Sequence, residues 1–127
     1  MTTLLVLYRR PEGAAADAEG DDDGKGADDA EVAALETLER RYRKEHMPLV
    51  ARTPGLLATR VWRVTEALGT PTDYVLACAM DFRDRHALDA GLRSEPMKAA
   101  GRVLREIAPG LATFLIVEDA PDLLSSR

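Results

Sequence analysis

An α+β fold is predicted because four short apolar segments alternate with helical patterns in a fixed order. Along the chain of 127 residues, the patterns read strand, helix, strand, strand, helix, strand. This order is the split βαβ arrangement of a ferredoxin-like fold, in which a four-stranded antiparallel sheet carries its helices on one face. At least three strands are apolar on both faces, so the uncovered face needs a partner, and the simplest partner is a second copy. The expected assembly is a homodimer, a dimeric α+β barrel.

The strand predictions rest on apolar runs bounded by turn-forming residues. The runs cover residues 3–8, 55–65, 74–82 and 111–117. In the first run, Leu4 and Val6 share one face with Tyr8, while Leu5 and Leu7 share the other. Because neither face is polar, this strand is expected to be buried on both sides.

A long helix is predicted over residues 29–46. Its apolar stripe recurs every three or four residues, at Val32, Leu35, Leu38 and Tyr42. The same spacing places His46 on the core-facing side. Asp28 is the expected capping residue. Pro48 disfavours helical geometry in the residue before it, so we expect the helix to end near His46.

The other helices are marked by capping residues. Asp84 is expected to cap a short helix, and Ser94 to cap the next one, which carries Pro96 in its first turn. The last strand then follows a Pro-Gly pair.

The net negative charge of the chain is concentrated in one segment. The net charge is -5, yet outside this segment the chain is close to neutral. Residues 13–29 lack large apolar side chains, so we expect a flexible acidic insert. It would interrupt a single domain of residues 1–119, which is followed by a tail at 120–127. The chain lacks the basic footprint of a nucleic-acid-binding protein.

Several classes of protein are disfavoured by the apolar runs and by the cysteine count. No run approaches the roughly 18 apolar residues of a membrane span, and the first run is too short for a signal sequence. We therefore expect a cytoplasmic protein that does not contact membranes. The single cysteine, Cys78, excludes an intrachain disulfide and is expected to be a small buried hydrophobic residue.

A short pattern in the centre of the chain resembles the EthD family. The pattern is a helix that ends in tyrosine, an H-x-P-L segment and a P-G pair before a strand that contains Arg60: Tyr42, His46, Pro48, Leu49, Pro54 and Gly55. The likeness continues in residues 5–11, 73–82 and 94–96. It implies a dimeric α+β barrel. It also implies kinship with cofactor-free enzymes that act on aromatic polyketides and with a protein linked to fuel-ether degradation.

The candidate site is a pocket between helix and sheet. The expected catalytic residues are His46, Tyr42 and Tyr8, and the expected substrate contacts are Trp62, Arg60, Pro48 and Leu49. At a helix end, the dipole raises the pKa of a histidine while burial lowers it, so His46 is expected to titrate near neutral pH. It could transfer a proton while a tyrosine hydroxyl positions an oxyanion. Alternatively, His46 is structural and binds a loop carbonyl.

Three functions fit these features. The first is a cofactor-independent lyase, isomerase or monooxygenase that acts on a small cyclic or aromatic compound. The second is a non-catalytic dimeric protein that binds small molecules or assists another protein. The third is haem binding, which is implied by related dimeric barrels. We expect no cofactor and no metal, because two distant histidines do not form a metal site. No residue separates the first two functions.

Overall fold

The computed structural model describes residues 1–11 and 25–125 and confirms the predicted ferredoxin-like fold. In chain order the elements are β1 (Thr2–Arg9), α1 (Lys25–Arg41), a π turn (Tyr42–His46), α2 (Met47–Val50), β2 (Ala58–Arg63), β3 (Tyr74–Phe82), α3 (Arg85–Leu92), α4 (Glu95–Ile107), β4 (Ala112–Glu118) and a 3-10 turn (Pro121–Leu124). Most of the predicted acidic insert lies outside the described residues.

The four strands form one antiparallel sheet in the order β2-β3-β1-β4. Val6 lies opposite Cys78 on β3 and opposite Phe114 on β4. Because residues directly opposite each other share a face, the register assigns every strand residue to one side. The helix-covered side holds the buried core of the sheet, which comprises Leu4, Val6, Tyr8, Leu76, Cys78, Met80 and Phe82.

The second face of the sheet, which we call the open sheet face, is made of apolar, small and a few polar side chains. Its members are Thr3, Leu5, Leu7, Ala58, Arg60, Trp62, Val75, Ala77, Ala79, Asp81, Thr113, Leu115 and Val117. One polar cluster lies on this face, where the Thr3 hydroxyl donates to Asp81 at 2.6 Å and Arg60 approaches the same carboxylate at 3.7 Å. The prediction that strands are apolar on both faces therefore holds for β1, β3 and β4.

The start of α1 differs from the prediction. The helix begins at Lys25 rather than near Asp29. The preference for a capping residue at one position is worth only about 1 kcal/mol, and the cooperativity of helix extension can override it. The predicted apolar stripe also begins later, because Val32 is 57% exposed while Leu35 and Leu38 pack against the core.

Two glycines in helices have opposite surroundings. A Cβ on Gly91 of α3 would lie 2.8 Å from Cε1 of Phe82 and 3.1 Å from Cγ2 of Thr53. A Cβ on Gly101 of α4 would meet only the Arg105 guanidinium, at 3.8 Å. Gly91 therefore permits the close approach of α3 to the sheet, while no packing contact requires glycine at position 101.

We expect these two glycines to respond oppositely to alanine. Gly91→Ala forces Phe82 to shift and should lower the free energy of unfolding by about 1–3 kcal/mol. Gly101→Ala should raise it by up to about 1 kcal/mol, since alanine favours a helix interior. Urea unfolding at one protein concentration measures both values. Equal effects of the two changes would contradict the packing described for α3.

Candidate functional site

The segment that carries His46 stays helical past Pro48, which corrects the expectation that the helix ends at His46. The backbone N–H of Met47 bonds the carbonyl of Tyr42, five residues back, so residues 42–46 form a π turn. Met47 keeps helical angles (φ -62°, ψ -35°), and Pro48 lies in the first turn of α2. In an uninterrupted α-helix, the proline ring would clash with the carbonyl four residues back. The wider turn shifts the carbonyls and accommodates the ring.

The three predicted catalytic residues lie together in the core. His46 and Tyr42 are 3% and 4% exposed, and their rings are 4.9 Å apart at an angle of 30°. Tyr8 approaches Tyr42 edge-on from β1, with ring centroids 5.2 Å apart. The two hydroxyls are hydrogen-bonded at 3.1 Å. Helical spacing predicted that Tyr42 and His46 lie side by side. Tyr8 was predicted to join them because it ends the first strand.

His46 is held in one tautomer by a contact with α4. Its Nδ1 lies 3.0 Å from the carbonyl oxygen of Ala100. A carbonyl only accepts hydrogen bonds, so Nδ1 carries the proton and the neutral ring keeps its lone pair on Nε2. Within the described residues, Nε2 is buried and has no hydrogen-bond partner. The arrangement leaves one unpaired acceptor inside the protein.

Burial keeps the imidazole neutral. Desolvation lowers the pKa of His46 below its usual 6.5, and the hydrogen bond to Ala100 opposes this shift only in part. The expected contribution of a helix C-terminus is missing, because the helical chain continues beyond His46. The ring can therefore accept a proton at neutral pH.

The hydroxyls of Tyr8 and Tyr42 and the nearby thiol of Cys78 stay protonated. Burial is the main cause that raises the pKa of Tyr8, and it also raises that of Tyr42, whose neighbour Tyr8 adds to the shift. Burial likewise raises the pKa of the Cys78 thiol. The tyrosines can therefore donate hydrogen bonds but cannot act as bases at neutral pH, and Cys78 is the buried residue that was predicted.

A cleft of about 740 Å³ adjoins His46 and Tyr8. It lies between α4 and the edge of the sheet formed by β4. Its apolar lining comprises Leu4, Val6, Met80, Leu92, Met97, Leu104, Ala108, Ala112, Phe114 and Ile116. Phe114 and Ile116 are 58% and 39% exposed, so the cleft opens along β4.

The sequence prediction missed most of this lining. Phe114 and Ile116 share the face of Leu4 and Val6 in the register of β1 and β4, but sequence alternation alone does not show that β4 lies beside β1. One sequence signal could have indicated the α4 side of the cleft. Lys98, Arg102 and Arg105 recur at helical spacing, and all three line the cleft.

The residues predicted to contact the substrate do not line this cleft. Arg60 and Trp62 lie on the open sheet face, where the guanidinium carbon is 5.2 Å from the centre of the indole ring. Pro48 is exposed, and Leu49 packs against the core from α2. The alternation along β2 correctly grouped Arg60 with Trp62 but did not show which face the helices cover.

The described residues contain no group of three or more histidine, cysteine or acidic side chains that could hold a metal ion. In the same part of the chain, no helix has the length and apolar character needed to cross a membrane.

The fold has counterparts among solved structures, although no family model and no curated protein matches the chain. An EthD family protein from Bacillus halodurans superposes with a TM-score of 0.69 and 26% sequence identity, over 94% of this chain and 99% of the other. The predicted resemblance to the EthD family is confirmed. The similarity to the EthD family protein therefore extends over the described fold and is not confined to the sequence pattern around His46.

More distant structures share the fold. A dimeric ferredoxin-like protein of unknown function from Jannaschia has a TM-score of 0.60 and 17% identity, over 94% of this chain and 100% of the other. SnoaB, a cofactor-independent oxygenase from Streptomyces nogalater, has a TM-score of 0.56 and 12% identity, over 93% and 91% of the two chains. At these identities, the likeness shows the fold alone.

The burial of His46 predicts a pH dependence of stability. The folded-state pKa lies below the unfolded value of 6.5, so the unfolded chain binds the proton first as the pH falls. The stabilisation is complete above the unfolded pKa and is lost as the pH falls toward the folded pKa. The free energy of unfolding should therefore decrease between about pH 7 and pH 5.

Two variants isolate this dependence. His46→Gln should flatten the profile, whereas His86→Gln should keep it, because His86 is the second histidine of the chain and is exposed. Urea unfolding across the pH range measures both profiles. An unchanged profile in His46→Gln would show that another group titrates.

Proposed function

We propose that this EthD-like chain is a cofactor-independent enzyme that removes a proton from a small hydrophobic ring compound bound in the cleft. The observation that carries the proposal is the buried, unpartnered Nε2 of His46, a residue that lines a cleft whose other lining residues are mainly apolar. A cleft with apolar walls and few polar groups suits a planar, hydroxylated or enolisable substrate.

The proposed step transfers a proton from an acidic C–H or O–H group of the substrate to Nε2. The proton on Nδ1 stays there and continues to donate to the Ala100 carbonyl, a hydrogen bond that favours the charged imidazolium formed in this step. If the Tyr42 hydroxyl donates to Tyr8, then the Tyr8 proton is free to stabilise the oxyanion of the substrate. Reprotonation at another atom would give an isomerase, and loss of a leaving group a lyase. Reaction of the substrate anion with dioxygen would give a monooxygenase, in which one oxygen atom enters the substrate and the other leaves as water, with the electrons supplied by oxidation of the substrate itself.

The comparisons support a small-molecule enzyme without naming its reaction. SnoaB has the same fold and is described as a cofactor-independent oxygenase. Another solved structure of this fold is an antibiotic biosynthesis monooxygenase, with a TM-score of 0.55 and 13% identity over 95% of this chain and 100% of the other. These activities suit the monooxygenase form of the proposed step.

A non-catalytic binding or accessory protein is the second candidate. The hydroxyls of Tyr8 and Tyr42 bond each other, which is the arrangement expected when both serve packing. In that case the cleft would bind a ligand and His46 would act only by fixing α4 to the π turn.

We also propose that two copies of the chain associate through their open sheet faces. Trp62, Leu115 and Val117 are large apolar residues on this face, each exposed by more than two fifths. Burial of such a surface is the main driving force for association. The ferredoxin-like protein from Jannaschia is described as dimeric, which supports the same assembly here.

The enzyme proposal is tested by turnover. Purified protein is incubated in air with a panel of phenols and enolisable cyclic ketones, and products are followed by mass spectrometry. His46→Gln should lower turnover of any converted compound by about a hundredfold or more, while His86→Gln should not change it. A wild-type rate in His46→Gln would overturn the proton-transfer role. Binding without conversion in wild type would favour the binding protein, and a Soret absorbance band would indicate haem.

The dimer proposal is tested by adding a charge to the open sheet face. Ala77→Glu buries a carboxylate at the proposed interface and should yield monomers at micromolar concentration in sedimentation analysis. Leu68→Glu is the control, because Leu68 is 86% exposed and lies outside the sheet. Trp62 is the only tryptophan, so dissociation should shift its emission to longer wavelength. A monomeric wild type would refute the proposal.

A further inference from the structure

The cleft has an uneven distribution of charge. Lys98, Arg102 and Arg105 follow one side of α4 at spacings of four and three residues, and all three line the cleft. Lys98 has a weak exposed contact with Glu95 at 4.0 Å. Neither arginine side chain makes an ion pair or hydrogen bond with another described residue. Two of the three cations are therefore unneutralised by the described protein.

This clustering contrasts with the acidity of the chain. The net charge is -5, yet none of the described residues that line the cleft is acidic. Like charges three and four residues apart destabilise a helix. The helix dipole favours Arg105 in the last turn, but it does not favour Arg102 in the middle or Lys98 near the start. Helix stability therefore does not account for the row of cations.

Gly101 lies among these cations and also faces the cleft. Glycine is a poor residue for a helix interior, and only the Arg105 guanidinium lies within 4 Å of the place that a Cβ would take. Because position 101 has no side chain, the surface of α4 is recessed beneath the Arg105 guanidinium. A flat ring could therefore lie against α4 at this point.

We propose that the natural ligand of the cleft is an organic acid, with an apolar ring body and one carboxylate. The ring would lie between Phe114 and Ile116 of β4 and the wall of α4, and the carboxylate would bind Arg102 and Arg105. The planar fork of a guanidinium matches a carboxylate, and the apolar lining matches the ring. The inference rests on the proposed function, since it takes the cleft as the ligand site and adds the charge of the ligand.

The orientation of the ligand follows from the positions of the charges. The arginines are exposed on α4, whereas His46 is buried at the inner wall. A carboxylate bound at the mouth directs the ring inward, toward Nε2. The cations would then select and orient the substrate, and the proton transfer would occur at the other end of the ring.

The test compares two probes of equal shape and different charge. Binding of 2-naphthoate and of the neutral 2-naphthamide to the full chain is measured by calorimetry at low salt. Naphthoate should bind about tenfold more tightly, the value of one charge-assisted hydrogen bond. Arg102→Gln combined with Arg105→Gln should remove this preference and leave the affinity for naphthamide unchanged. Added salt should weaken only the binding of naphthoate.

Two further variants make the outcomes distinct. Arg93→Gln changes an exposed arginine that does not line the cleft, and it should keep the preference for naphthoate. Gly101→Leu fills the cleft and should abolish binding of both probes while preserving the fold, because leucine favours a helix.

Each outcome decides a different claim. Equal affinity for the two probes in wild type, or a preference that survives loss of both arginines, overturns the organic-acid proposal and leaves the apolar cleft as a ligand site. Absence of binding by both probes up to millimolar concentration overturns the proposal together with the ligand site itself. Tight naphthoate binding in His46→Gln would show that recognition is separate from proton transfer, as the proposed orientation requires.

Discussion

The hydrogen bond from His46 to the Ala100 carbonyl is the contact on which the chemistry of the site depends. It fixes the tautomer, because a carbonyl only accepts, and so leaves the lone pair of the imidazole on Nε2. The same bond connects the π turn to α4, two elements far apart in sequence. This hydrogen bond therefore links the helix that carries the cations to the ring that would accept a proton.

The π turn makes this interaction compatible with Pro48. A proline disfavours helical geometry in the residue before it, which is why the sequence predicted a helix end at His46. A proline in an α-helix also clashes with the preceding turn. The hydrogen bond from Met47 N–H to the Tyr42 carbonyl spans five residues instead of four and so leaves room for the proline ring. The chain then continues as α2. As a result, the imidazole is not at a helix end, and burial controls its pKa. A local backbone adjustment thus sets the protonation state of the candidate base.

The parts of the structure that follow from local periodicity were predictable. The period-two pattern of β1 and β3 gave the two apolar faces, and helical spacing placed Tyr42 and His46 side by side. What was not predictable depends on pairing between distant segments. Alternation grouped Arg60 with Trp62 but could not say which face the helices cover. The cleft needed β4 to pair with β1 at the sheet edge, a fact that no local pattern in either strand contains.

Strand β4 contributes to both proposed surfaces, the open sheet face and the cleft, through different side chains. Its side chains are exposed on both faces of the sheet, with Leu115 and Val117 on the open sheet face and Phe114 and Ile116 at the cleft. A second copy that covers the open sheet face reaches only the first pair, since neighbouring residues of a strand point to opposite sides. The second pair would stay exposed in the dimer. Because those residues adjoin unpaired arginines and a buried acceptor, a ligand that is both apolar and anionic suits that surface better than a protein partner of uniform apolar character.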